Sequence, residues 1–267
     1  MEPIAARRGA LAEFGRSSLW WLTGWWRTFY LGATILALCL SPSSYTVAMR
    51  SALARQIYLS CAATLAWFTI LSALISLVLI RIVVVTSLSY GLSQYALEMV
   101  VRVLVLELIP LAAALFAGLR GAIPHGAEVS RLREQGQLDA SGMPTFAALS
   151  TQILPRVIGA LFCVLMLAAV SCVLTLLLAY VSVYGFTRWG FEGYTHVVGQ
   201  VFSGPVSLIF SLKVVFFALA VALVPVASVL YDTGGSRSRT GFELRSLLRL
   251  FLAILLIEIA SLVTNYS

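Results

Sequence analysis

The chain has 267 residues, 60% of them hydrophobic and 11% charged, with several uncharged runs of about 20 residues or more, the length that spans a bilayer core. A soluble domain is excluded, and because the runs lack the two-residue alternation of a barrel wall, helices must satisfy the backbone in lipid. The formal charge of +7 is nearly all arginine, 17 residues with Lys213 the single lysine; in a membrane chain such charge belongs to loops that set topology, so no nucleic-acid partner is expected.

Residues 1–16 carry five charges and no apolar core, which predicts a polar cytoplasmic N-terminus rather than a cleavable signal peptide. Residues 17–40 gather Trp20, Trp21, Trp25, Trp26, Phe29 and Tyr30 around Arg27. Aromatic side chains favour the headgroup level, so this segment predicts a helix lying in the interface, with a sixth crossing helix through the apolar run Phe29 to Leu40 as the alternative. Ser41-Pro42-Ser43-Ser44 ends it.

Residues 41–267 then read as a domain of five transmembrane helices. The first span is Gln56 to Ile80; Arg81 interrupts, and the stretch from Ile82 to Leu97 softens into Thr86, Ser87, Ser89, Tyr90, Ser93 and Gln94, where the helix ends and a turn follows. The second span, Val103 to Leu119, holds Glu107; a polar segment, residues 122–156, separates it from the third, Val157 to Tyr184. Residues 185–205 form an external loop with room for a short surface helix. The fourth span, Val206 to Tyr231, carries Lys213, and the fifth, Leu244 to Thr264, carries Arg245, Arg249 and Glu258. Cys39, Cys61, Cys163 and Cys172 sit singly in apolar runs, which points to packing rather than metal binding or disulfides.

Arginine placement fixes a topology. With the N-terminus in the cytoplasm and five crossings, Arg7, Arg8, Arg16, Arg27, Arg50, Arg55, Arg120, Arg131, Arg133, Arg156, Arg237, Arg239, Arg245 and Arg249 fall inside, and only Arg81, Arg102 and Arg188 outside. This positive-inside bias puts residues 122–156 in the cytoplasm and the C-terminus outside.

Catalytic patterns are missing. A nucleotide-binding P-loop needs lysine followed by Ser or Thr after a glycine-rich turn, whereas Lys213 precedes Val214 in an apolar span. His125 and His196 fall in loops on opposite faces without metal-ligand spacing, and no glycine-framed serine marks a nucleophile elbow. What stands out is charge inside spans: Glu107, Lys213 and Glu258 each cost about 2.5–3.5 kcal/mol at a bilayer centre unless they face a cavity or a partner. Pro110 lies beside Glu107 and leaves the Leu106 carbonyl without its helical donor. The pattern fits the wall of a polar cavity, and equally a buried Glu–Lys pair that only orients helices.

Glu107-Leu108-Ile109-Pro110, then Ala113-Ala114-Leu115-Phe116-Ala117-Gly118, Arg120-Gly121, Ala127-Glu128, Gln137-Leu138-Asp139-Ala140 and Pro155-Arg156, form an ordered set along the chain. The set resembles the permease subunits of MCE-type ABC lipid transporters, the MlaE/YrbE family, and Arg55-Gln56-Ile57-Tyr58 and Leu212-Lys213-Val214-Val215-Phe216 extend the resemblance over about residues 14–264. Departures are Ile109 where the family has glycine, Leu106 where many members have arginine, and Gly136 where a glutamate is usual, with Glu134 two residues earlier. A glycine-rich stretch that members often show after the first span is replaced by Leu79-Ile80-Arg81-Ile82-Val83.

The resemblance implies a dimer with a second copy or a paralogue, in a bacterial inner membrane or its equivalent in an actinobacterium or plastid. It implies a cytoplasmic ABC ATPase that binds the ATP and Mg, a periplasmic MCE-domain protein, and room for a small cytoplasmic regulatory subunit; the permease itself carries no cofactor and is not an enzyme. Phospholipid transport of the kind that maintains outer-membrane lipid asymmetry follows, with Glu107, Lys213, Leu106, Leu79 and Tyr90 at the lipid cavity. Glu128, Arg131, Arg133, Glu134, Gln137, Leu138 and Asp139 would couple to the ATPase. Two other classes compete: a polytopic scaffold or assembly protein without a substrate, and a small-solute or ion carrier, which should show internal sequence symmetry between halves that this chain lacks.

Overall fold

The computed structural model describes residues 26, 28, 30–37, 47–92, 95–120, 153–231 and 239–266. Among these residues there is no strand, and five helices are long and apolar enough to cross a membrane. The fold is therefore all-α and polytopic. In chain order the helices are α1 (30–37), α2 (Val47–Ser89), α3 (Ala96–Arg120), α4 (Leu154–Tyr184), α5 (Phe191–Val201), α6 (Gly204–Tyr231) and α7 (Arg239–Tyr266).

α2 runs for 43 residues, about 65 Å at 1.5 Å per residue, far longer than a bilayer core is thick. Nothing in it can stop a helix, since it holds neither Gly nor Pro. Arg81, expected to interrupt the span, lies exposed in mid-helix without breaking it. The turn falls at Tyr90–Leu92, inside the softened stretch: Gly91 takes φ +71, its N–H donates to Leu88 O at 3.1 Å, and Leu92 N–H donates to Ser87 O at 2.8 Å. That is the hydrogen-bond pair of a Schellman ending, which needs a left-handed residue and so favours glycine.

α3 returns through the bundle and starts at Ala96, ahead of the expected Val103. α4 opens with Pro155 in its first turn, where a missing N–H costs nothing, which gives the Pro155-Arg156 landmark a structural reason. α2 and α4 run parallel and make the most extensive helix contact, followed by α6 with α7 and α4 with α6. Phe68 of α2 stacks at 5.0 Å on Phe116 of α3, and Ser76 bonds Thr175 of α4 at 2.9 Å. Cys61, Cys163 and Cys172 are buried free thiols, Cys61 lying against Cys163, whereas Cys39 lies outside the described residues. On α6, Phe217 and Ala218 are fully buried in the same core. Gly118 lets α3 approach α7 closely: a Cβ there would stand 2.6 Å from Leu250 Cδ2.

Two satellites complete the bundle. α5 is the surface helix expected in the external loop, pinned to the end of α4 by Tyr194, whose hydroxyl donates to Leu176 O at 2.9 Å within a cluster of Tyr180 and Tyr184. Burial pushes the Tyr194 phenol above its usual range. α1 buries Leu31 and Ile35, one turn apart, against Ile153, Leu154 and Val157 of the α4 start and Ala222, Val226 and Ala227 of α6. The rest of the aromatic segment 17–40, and nearly all of the polar segment 122–156, lie outside the described residues.

Candidate functional site

Pro110 organises the site through what it lacks. An α-helix would ask its N–H to bond the Leu106 carbonyl, and the proline ring would press on that carbonyl instead. The chain responds by widening: Val100–Leu108 is a π-helix, closing onto Ile109, whose N–H reaches back to Leu104 O. In that wider register residue 110 should serve Val105, and again there is no N–H. One of two adjacent carbonyls is orphaned whichever register the turn adopts, and both receive outside donors. Cys172 Sγ of α4 donates to Val105 O at 3.6 Å, and Lys213 Nζ of α6 donates to Leu106 O at 3.4 Å.

Lys213 does more than cap a carbonyl. Its ammonium also donates to Glu107 Oε2 and stands 2.8 Å from Glu258 Oε2 of α7. The Glu258 contact is ionic rather than a directed hydrogen bond. The three side chains are 2%, 12% and 13% exposed for Lys213, Glu107 and Glu258, and the Phe217 ring lies 5.8 Å from Nζ. Chain direction explains how they meet. Glu107 lies 11 residues into α3, Lys213 nine into α6 and Glu258 eight before the end of α7, which sets all three roughly 12–16 Å below one face of the bundle. That is close to mid-depth in a bilayer core about 30 Å thick.

An ammonium held by two carboxylates and a carbonyl is well solvated by protein, yet a buried ion pair adds little to stability compared with an apolar replacement. Chemically the cluster offers a lipid-depth cation whose partners can be exchanged for another anion, and carboxylates that can receive a cation. Of the five residues expected at a lipid cavity, the structure brings together Glu107, Lys213 and the Leu106 backbone. The Leu106 side chain is buried in the core cluster around Ile80 and Val101, with Leu79 half-buried against that cluster. Tyr90 stands 77% exposed just past the C-terminal end of α2 and is no part of the enclosed cluster. Ile109, at the position where glycine was expected, is buried among the same apolar side chains. Glu258 is the partner that the sequence reading recognised as costly and left out of the site. Glu128, Arg131, Arg133, Glu134, Gln137, Leu138 and Asp139 lie outside the described residues.

A family model described as Permease MlaE matches residues 53–263, well over half of the chain and all five crossing helices. No curated protein matches it.

Proposed function

Because the chain belongs to the MlaE permease family, the lipid permeases of ABC transporters, we propose that it moves phospholipid between a bacterial inner membrane and a periplasmic MCE-domain partner, driven by a separate cytoplasmic ATPase. The observation that carries this reading is the Lys213 ammonium, 2% exposed at lipid mid-depth, between the carboxylates of Glu107 and Glu258. A phospholipid headgroup offers a phosphate to the ammonium and, in zwitterionic lipids, an ammonium to the carboxylates, so headgroup and cluster can exchange partners without leaving a bare charge in hydrocarbon.

In this mechanism two permeases, identical or paralogous, enclose the lipid. The arginine asymmetry supports a cytoplasmic N-terminus and a periplasmic C-terminus, with residues 122–156 facing the ATPase, which binds ATP and Mg. Glu128, Arg131, Arg133, Glu134, Gln137, Leu138 and Asp139 transmit nucleotide-driven closure to α3 and α4, the helices that flank the segment. Movement of α3 against α6 and α7 then separates Glu107 from Lys213 and hands the phosphate over. A small cytoplasmic regulatory subunit completes the assembly.

Reconstitution of the permease with its ATPase and MCE partners, using headgroup-labelled phospholipid, tests the reading. The expected result is nucleotide-dependent movement of label between vesicle and MCE protein, abolished together with ATPase retention when Arg131, Arg133 and Asp139 are charge-reversed. Label that stays in the vesicle with or without nucleotide, or a chain that retains neither partner, would favour a scaffold without a substrate.

A further inference from the structure

The charges of the cluster do not balance. Two carboxylates and one ammonium meet with side chains 12%, 13% and 2% exposed for Glu107, Glu258 and Lys213. Fully ionised, they would leave one uncompensated negative charge in a site that water barely reaches, the costliest arrangement a membrane interior offers.

Among the described residues, no other cation is placed to neutralise it. On α3, Arg102 pairs with Glu98 at 3.0 Å, farther toward the helix start. On α7, Arg249 and Arg245 lie nine and thirteen residues before Glu258, about 13 Å or more along the axis. Arg81 of α2 is exposed. From α4 the facing group is the Cys172 thiol, engaged with Val105 O, and from α6 it is the Phe217 ring. The two acids are also not independent. Both carboxyl groups meet the same ammonium, Glu107 Oε2 by a hydrogen bond and Glu258 Oε2 at 2.8 Å, which sets two acids side by side in one buried site.

We propose that Glu107, Lys213 and Glu258 form a proton-binding site that holds one proton between the two carboxyl groups at neutral pH, and that it makes capture of anionic lipid headgroups pH-dependent. At rest the site then carries one ammonium, one carboxylate and one carboxylic acid, and its net charge is zero. A phosphate monoanion that takes a carboxylate's place on Lys213 Nζ adds a negative charge. Neutrality returns when the displaced carboxylate takes a proton from water and becomes the second acid. An anionic phospholipid therefore binds together with one proton, whereas a zwitterionic one brings its own cation and needs none. The coupled capture rests on the lipid-site reading above; the resting proton does not.

Infrared difference spectra of the purified protein at neutral pH, in light and heavy water, test the resting proton. The expected spectrum contains the carbonyl stretch of one buried carboxylic acid, and both Glu107→Gln and Glu258→Gln remove it, since either leaves one carboxylate for one ammonium. A wild-type protein without that band, or a band that survives both substitutions, overturns the proposal; the wild-type spectrum decides even where a variant folds poorly. For the coupled capture, binding of phosphatidylglycerol should weaken about tenfold per unit rise in pH, because one proton is taken up per lipid, while phosphatidylcholine changes less than about twofold. Parallel profiles for the two lipids overturn the coupling. Binding of neither at any pH overturns the lipid-site reading and the coupling with it, and the infrared band still decides the resting proton.

Discussion

The α2–α4 interface and the junction of α3, α6 and α7 both bury polar groups inside a membrane bundle, and they do so on different terms. Across α2–α4, Thr175 gives its proton to the Ser171 carbonyl one turn back, at 2.8 Å, and accepts from Ser76 at 2.9 Å. Both hydroxyls are small and neutral, Thr175 satisfied on its own helix and Ser76 by that single partner across the interface. At the other junction Lys213, Glu107 and Glu258 cannot be satisfied within any one helix, and their contact depends on three helices keeping one arrangement. Hydroxyl contacts hold membrane helices together at small gain. A charge cluster is a poor way to gain stability, because apolar side chains of similar size serve as well or better. The second junction is therefore the one whose chemistry fits the proposed lipid site.

Breaking the cluster on one side should have the largest effect. Lys213→Met leaves two carboxyl groups without their cation and is expected to destabilise the protein by about 3–5 kcal/mol, the usual cost of removing one partner of a buried pair. Thermal unfolding in detergent measures it, and a loss below about 1 kcal/mol would place this junction in the same class as α2–α4. Ser76→Ala, in contrast, should cost only about 0.6 kcal/mol, the average for hydrogen bonds between membrane helices. A cost above about 2 kcal/mol by the same measurement would mean that the hydroxyl contact belongs to a larger polar site than Ser76 and Thr175 define.

Apolar run lengths made the five crossings legible, and the polar residues of the softened stretch made the first turn so, because both follow from neighbours in sequence. Arg81 misled for the same local reason: a charge was read as a break, although only Gly or Pro would have weakened the backbone there, and α2 contains neither. The orphaned Leu106 carbonyl could be foreseen from Pro110. Its partner could not be, since Lys213 meets it from another helix. The π-helix over Val100–Leu108 escaped detection because apolar residues occur there at a spacing that an α-helix would accept equally well. Glu258 was visible as an acid in the last span, but its pairing with Lys213 rests on where α6 and α7 cross, and on no spacing along the chain. α1 was legible as an aromatic segment, whereas the docking of Leu31 and Ile35 on the ends of α4 and α6 is a fact of packing.

Whether the cluster exists for lipid or for folding can be read from one variant, Glu107→Gln/Lys213→Met/Glu258→Gln, in which every charge of the site is removed together. Its crosslinking to a phospholipid photoreactive at the headgroup, mapped by mass spectrometry on residues 104–110 and 210–216, is compared with its thermal stability. A lipid site gives a variant about as stable as wild type, since no charge is left unpaired, that has lost crosslinks in both segments. A neutral variant that unfolds no earlier than wild type and crosslinks undiminished lipid would contradict the account and leave the three charges as a device for orienting helices.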